Sequence, residues 1–326
     1  DQIATMAVRN IIRPLPENIL SSVGVSEADF PEAVWSPGEY KGERYSIPLD
    51  IHPLVMYYNE NMLEAAGLSA PPKNKEEFEK FVTAAKQGDT MGWAVTTGFP
   101  IQQMFQTLLY QYGGTAFNEN ATEATWNSEA GVKALTYLRD AQQQYSKANL
   151  PVDAGITAFK QGKSAVEWNG IWQIPNLVAA HDFGAGAPIP QIGDTMAVWA
   201  GSHQLSLTNQ KTEDPKKTAA AGCFMDWLSA NSALWARGGQ IPANNAVRES
   251  EAFKQVKPQA EIAPSVESAF FPPSLPGIVD AYAPLDEEIA AVMTGKQKDI
   301  KQALDNSARK ANQILERNAQ RYGGNQ

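Results

Sequence analysis

The chain has 326 residues, 43% hydrophobic and 19% charged, with 27 basic against 36 acidic side chains and a net charge of −9. That length suits two domains at roughly 100–200 residues each, and the acidic balance leaves no basic footprint for a nucleic-acid partner. The single cysteine, Cys223, rules out an internal disulfide or a cysteine-cluster metal site, and no segment approaches the ~18 apolar residues of a membrane span. Cys223 lies in the helical pattern A-A-A-G-C-F-M-D-W-L and is expected to be a buried small hydrophobe.

Residues 1–22 read as helical pieces broken at Pro14 and Pro16, and Tyr40 to Tyr45 as a hairpin around Gly42. Leu54 to Tyr58 is a continuous apolar run of strand length and predicts a buried strand. Pro48 and Pro53 bracket Asp50 and His52, which argues for a crossing segment at a sheet edge. Helices are expected at 60–66, 75–86, 101–112 and 128–145, with a strand at 91–97. The segment F-K-Q-G-K-S-A-V-E-W-N-G-I-W, Phe159 to Trp172, reads as a short helix closed by Gly162, a strand over 164–168, an Asn169-Gly170 turn and a new helix. Residues 182–190 are strand-like, and 198–207 form a second crossing candidate. Helices follow at 219–230, 278–293 and 300–318, with a G-G-Q-I-P loop at 238–242. Strands and helices alternate without a simple repeat, which favours an α/β fold.

No catalytic signature is present: there is no phosphate loop, no H-E-x-x-H and no G-x-S-x-G. His52, His181 and His203 are too far apart to spell a metal motif, although folding can gather two of them. Glu167 with Asp50 can be posed as a glycosidase acid/base pair, a weak proposition in a chain with 36 acids. The candidate loops instead combine neutral amides with aromatics: Gln102, Gln103 and Gln106 open one helix, Asn169 and Gln173 flank Trp172, Trp199 and His203 share a crossing segment, and Gln240 sits in G-G-Q-I-P. Flat apolar faces beside neutral hydrogen-bonding groups suit a polyhydroxylated ligand.

Four ordered blocks carry a family resemblance. Y-S-I-P-L-D-I-H-P-L-V-M-Y-Y-N-E-N-M-L-E-A-A-G-L, Tyr45 to Leu68, resembles the hinge-strand signature of extracytoplasmic sugar-binding proteins of ABC importers, the family that includes maltose-binding protein. Phe159 to Trp172 is similar to that family's F-x-x-G-x-A-A-M-x-x-x-G-x-W block. The G-G-Q-I-P-A-N loop and the tail P-G-I-V-D-A-Y-A-P-L-D-E-E-I-A-A-V-M-T-G complete the order.

The resemblance implies a two-lobe, periplasmic-binding-protein-like α/β fold with discontinuous lobes: residues 1–51 and 203–250 in the first, 54–200 and 251–326 in the second, and a three-crossing hinge near 52, 199 and 250. It places ligand contacts at His52 with Asp50 beside it, at Gln103 and Gln106, at Trp172 and Tyr282 as sugar-stacking aromatics, and at Trp199, Gly201 and Ser202 on the second interlobe strand. Asn169, Gln173 and Gln240 join them from the loop reading. The implied partners are a carbohydrate and the membrane permease of an ABC transporter. The implied protein is a monomer outside the cytoplasm, periplasmic or lipid-anchored, without cofactor, metal, catalytic residue or nucleic acid. Members of the family open with a β-α-β segment that has no counterpart in these residues: either the sequence is a fragment or truncation or the first lobe is reduced, and missing residues are the expectation, not a new fold. Alternatives are a binding protein of the same fold for a polyamine or glycerol phosphodiester, or a carbohydrate-active enzyme.

Overall fold

A computed structural model describes residues 2–323, the side chains of Ser22 and Val23 excepted. In chain order the strands are β1 (Ile12–Arg13), β2 (Glu39–Tyr40), β3 (Glu43–Arg44), β4 (Ser46–Pro48), β5 (Asp50–Asn59) and β6 (Met91–Trp93), then β7 (Ser164–Gly170), β8 (Gly184–Pro188), β9 (Val198–Gly201), β10 (Gln204–Thr208), β11 (Ile241–Pro242) and β12 (Ala269–Phe270). β10 lies between β1 and β4 in a small antiparallel sheet, and β2–β3 form the hairpin around Gly42. The large sheet runs β12-β9-β5-β7-β6, with β8 and β11 also paired to β5. The fold is two-lobed α/β.

β5 organises this sheet. Its ten residues change partners along their length: Asp50 and Ile51 pair with β11, His52 and Pro53 with β9, Leu54–Tyr58 with β7 and Val55–Asn59 with β8. The crossing segment is therefore central and not at an edge, and Pro53, which has no N–H to donate, sits where the partners change. Alternation along the strand sends Leu54, Met56 and Tyr58 into one core, with the helices Ile101–Gln111, Glu129–Tyr145, Ile278–Met293 and Ile300–Tyr322. Ile51, Val55 and Tyr57 enter a second core, which joins Leu15, Phe30 and Leu207 to Phe159, Ile174 and Phe253. Trp93, Trp168 and Phe78, all fully buried, pack on one another within the first core.

Several expectations need correction. Asn169-Gly170 is not a turn: β7 continues through both residues because they pair with Val55 and Leu54. Residues 198–207 split into β9 and β10, and a short strand, β1, lies within the expected helical start. Cys223 is exposed, because its helix, Pro215–Ala230, buries the face carrying Gly222, Met225 and Ser229 and leaves Cys223 one position round. Tyr282 is 6% exposed, edge-on to Phe117 and stacked with Trp126, so it belongs to the first core.

Glu167 and Asn169 face the second core, opposite Tyr57 and Val55. Asn169 Nδ2 donates to Glu167 Oε1 at 3.1 Å, while Glu167 Oε2 has no partner. Burial pushes the Glu167 carboxyl up to about 8, the Asn169 amide opposing this only in part. The folded state thus holds a proton that the unfolded chain releases near 4.5, and stability falls as pH rises between those values. Glu167→Gln, which cannot ionise, should melt at least ~2–4 °C above the wild type at pH 8 and converge with it near pH 5. Parallel melting curves across that range would show that Glu167 carries no such penalty.

Candidate functional site

The residues preceding the first core on the same face of β5 are Asp50 and His52. Beyond the hydrophobic cluster this face carries polar groups, and Asp50 is still completely buried. Its charge is answered by four N–H donors. Asp50 Oδ1 accepts from His52 Nδ1 at 3.0 Å and from the His203 backbone N at 3.0 Å. Oδ2 accepts from His203 Nδ1 at 2.8 Å and from Trp235 Nε1 at 2.6 Å. An ionised carboxylate can only accept, so each imidazole holds a proton on Nδ1 and turns Nε2 away from Asp50. Burial alone would raise the Asp50 pKa, but the hydrogen bonds from His203 and His52 outweigh it and hold the group well below the usual carboxylate range. The hydrogen bond to Asp50 raises the pKa of His203 in turn.

Two strand glycines set the rings. Gly201 lies opposite His52 in the β5–β9 pair, where a Cβ would come within 2.4 Å of His52 Nε2. Gly170 ends β7, and a Cβ there would sit 2.0 Å from the Trp172 ring, so the indole lies over bare backbone. Gly239, at φ +118°, brings the loop before β11 against Ile171 O and Trp172 Cα. Trp172 meets His52 edge-on at 5.7 Å, Trp199 lies 6.3 Å from His52, and the two imidazoles are 4.3 Å apart. A cavity of about 160 Å³ is lined by His52, Trp199, Gly201, Ser202 and Gln204 together with Ile3, Val34 and Phe271. A larger depression of about 430 Å³ lies elsewhere, rimmed by Lys75, Glu79 and Asp140, and contains none of the expected site residues.

The structure thus brings together Asp50, His52, Trp172, Trp199, Gly201 and Ser202. Gln103 and Gln106 stand on the helix Ile101–Gln111, whose Thr107 Oγ1 accepts from Trp199 N at 3.1 Å. Both amides donate to Gln102 Oε1, and both keep a buried Oε1 without a protein partner. Gln240 is buried next to β11, and Gln173 Oε1 accepts from Asn176. Asn169 and Tyr282 do not join the group, since the first turns to the opposite sheet face and the second lies in the core. The Glu167–Asp50 pair is not assembled either, because β5–β7 pairing and strand alternation put the two acids on opposite faces.

Sequence reading passed over Trp235 and gave His203 too little weight. Trp235 is 42% exposed yet commits its N–H to Asp50. Its one sequence signal is an indole at the end of a short helix just before the G-G-Q-I-P loop. Asp50, His52 and His203 can each offer one ligand atom within 4.8 Å of one another. The acceptor positions of Asp50 are already taken by N–H donors, so a cation would have to displace the imidazole protons.

Asp50→Asn sets an amide N–H against N–H donors and removes the charge. Losing one partner of a buried hydrogen-bonded ion pair costs about 3–5 kcal/mol. The Asp50 contribution is complete above the ordinary carboxylate pKa and fades as pH falls through its lowered value. The His203 contribution is complete below the ordinary imidazole pKa and fades as pH rises through its raised value. The stability gap between wild type and Asp50→Asn should therefore be widest between about pH 4 and pH 6.5, as measured by denaturant titration. A gap independent of pH would contradict this electrostatic account. Gly170→Ala should keep the fold while displacing Trp172, seen as a shift in indole fluorescence. An unchanged spectrum would show that the ring does not lie over Gly170.

Comparison with known proteins agrees with the fold. A family model described as bacterial extracellular solute-binding protein matches residues 1–261. The maltodextrin-binding protein MdxE of Bacillus subtilis is 26% identical over 285 residues, which cover 81% of this chain. A maltooligosaccharide ABC transporter solute-binding lipoprotein of Streptococcus pneumoniae is 22% identical over 82% of it. The chain spans slightly less than two thirds of these relatives, 65% and 64% of their lengths. Among solved structures, the GacH receptor of Streptomyces glaucescens, studied unliganded and with acarbose, superposes with a TM-score of 0.83 at 20% identity over 97% of this chain and 81% of that one. Among the described residues, no helix is long and apolar enough to cross a membrane. With the family model covering most of its length, the chain belongs to the bacterial extracellular solute-binding proteins.

Proposed function

We propose that this protein captures a neutral carbohydrate between its two lobes on the outer side of the cytoplasmic membrane and presents it to the permease of an ABC transporter. The observation that carries the reading is the group around Asp50: ring N–H groups satisfied on a buried carboxylate, beside the partly exposed faces of Trp172 and Trp199. A sugar is apolar on its C–H faces and polar round its rim. Indole faces take the first, while imidazole Nε2 takes the second.

Charged solutes fit less well. A polyamine needs carboxylates with open acceptor sites, and those of Asp50 are filled. A phosphodiester needs cations, and the described residues lining the cavity include no lysine or arginine. The names of the Bacillus and Streptococcus relatives favour maltooligosaccharides as the first class to try.

Closure follows from the strands. β4 and β10 of the small sheet join β5 and β9 of the large one, the strands being interrupted at Leu49 and at Ser202–His203. Lobes made of 1–51 with 203–250 and of 54–200 with 251–326 turn about these crossings and a third near 250. Ligand bound to both lobes favours the closed form by its differential affinity. Binding without turnover is the whole task, so the protein acts as a receptor and not as an enzyme.

Calorimetry and thermal shift over mono- and oligosaccharides should reveal one stabilising class. Trp172→Ala should weaken its binding at least ~10-fold, the loss of a stacked ring and its buried area, while leaving the melting temperature of the free protein within a few degrees. Stabilisation only by a charged solute, or unchanged affinity in Trp172→Ala, would overturn the assignment.

A further inference from the structure

Asp50 is a buried anion without a fixed cation. It has no exposure, and among the described residues its ion pairs are with His52 and His203 alone, so no lysine or arginine answers its charge. A charge at that depth is normally paired or coordinates a metal. Two imidazoles meet this one: His52 Nδ1 lies 3.0 Å from Oδ1 and His203 Nδ1 lies 2.8 Å from Oδ2, with the ring centres 4.3 Å apart. One ligand atom from each of the three residues falls within 4.8 Å of the others.

Ligand atoms that share one ion at about 2.0–2.2 Å stand roughly 3 Å from each other, which is the spacing between the Asp50 oxygens and both ring nitrogens. We propose that Asp50, His52 and His203 bind a divalent transition-metal ion through a carboxylate oxygen and the two Nδ1 atoms. Two imidazoles with one carboxylate suit zinc, nickel or copper, whereas calcium and magnesium are held by oxygen ligands.

The ring protons that lie against Asp50 can be moved without changing any charge in the protein. A neutral imidazole keeps one proton: it leaves Nδ1 for solvent, Nε2 takes one up, and the bare Nδ1 gives its lone pair to the metal. A polyamine cannot follow this route, because an ammonium offers donors and no acceptor. Asp50 stays ionised throughout. Its remaining donors, Trp235 Nε1–H at 2.6 Å and the His203 backbone N–H at 3.0 Å, hold the carboxylate in orientation from behind. The His203 side chain is 55% exposed against 13% for His52, so the ion enters on the His203 side. The site goes beyond the carbohydrate reading and does not depend on it. Where both hold, the ion changes what a sugar meets, since Nε2 of each ring turns from acceptor into donor.

The test is calorimetry on the full chain, stripped with a chelator and titrated with zinc chloride. One ion should bind per chain, while magnesium or calcium chloride at the same concentration gives no binding. His52→Gln and His203→Gln should each weaken zinc at least ~10-fold. His181→Ala and Cys223→Ser, which remove the third histidine and the single cysteine, should leave it unchanged. Circular dichroism and melting temperature confirm that each variant folds. Nitrogen-15 spectra of the histidine side chains give a second reading on the unsubstituted protein: with zinc, the protons of His52 and His203 should pass from Nδ1 to Nε2, and His181 should not respond. No zinc binding overturns the site and leaves the carbohydrate reading standing. So does zinc binding that survives both glutamine variants, or spectra in which His52 and His203 keep their Nδ1 protons. Zinc binding without binding of any carbohydrate overturns that reading and leaves the metal site.

Discussion

A buried carboxylate must find its counter-groups in the protein, and Asp50 finds them in three parts of the chain. It is the first residue of a ten-residue strand, it has no exposure, and it gathers donors from β5 itself, from the β9–β10 junction and from the short helix before β11. An unanswered charge at that depth would cost several kcal/mol. The four hydrogen bonds remove that cost, and in doing so they fix the position of His52, His203 and Trp235. The acid acts as a positioning residue: its acceptor sites are filled, and the rings it holds are what stand around it.

The sheet does the rest by alternation. One face of β5 passes from polar residues at Asp50 and His52 into the first hydrophobic core at Leu54, while the other remains apolar from Ile51 to Tyr57. Glu167, the carboxyl of the strand next door, is on the apolar side, away from Asp50. Gly170 and Gly201 are the complement on the polar side, since the absence of their side chains gives Trp172 and His52 room to lie against the sheet. The polar ring cluster and the core packing are thereby separated by the pleat of one strand.

Much of this was legible in the residues. The apolar run 54–58, the long helices from 129, 278 and 300, and the hairpin at Gly42 follow from periodicity and turn chemistry. Asp50, His52 and Trp172 lie in the motif blocks and Trp199 in a crossing segment, and the structure gathers these four around one carboxylate. What was lost has two physical causes. Local signals mislead where pairing overrides them: Asn169-Gly170 reads as a turn, yet β5 extends it as strand and carries Asn169 to the far face. Tyr282 is the related case, a tyrosine on an amphipathic helix whose inward side is set by Phe117 and Trp126. The second cause is distance along the chain. Asp50 and Trp235 are 185 residues apart, and nothing near either one announces the hydrogen bond that joins them.

The most direct test of the account is the NMR of the ring N–H groups around Asp50, with nitrogen-15 in the tryptophan and histidine side chains. If Asp50 organises the site, Trp235 Nε1–H and the His203 Nδ1–H should be strongly downfield and protected from exchange. Both should collapse toward free-ring values in Asp50→Asn, and both should move when a bound oligosaccharide is added. Ring N–H signals that exchange freely, ignore the substitution and do not respond to sugar would contradict it.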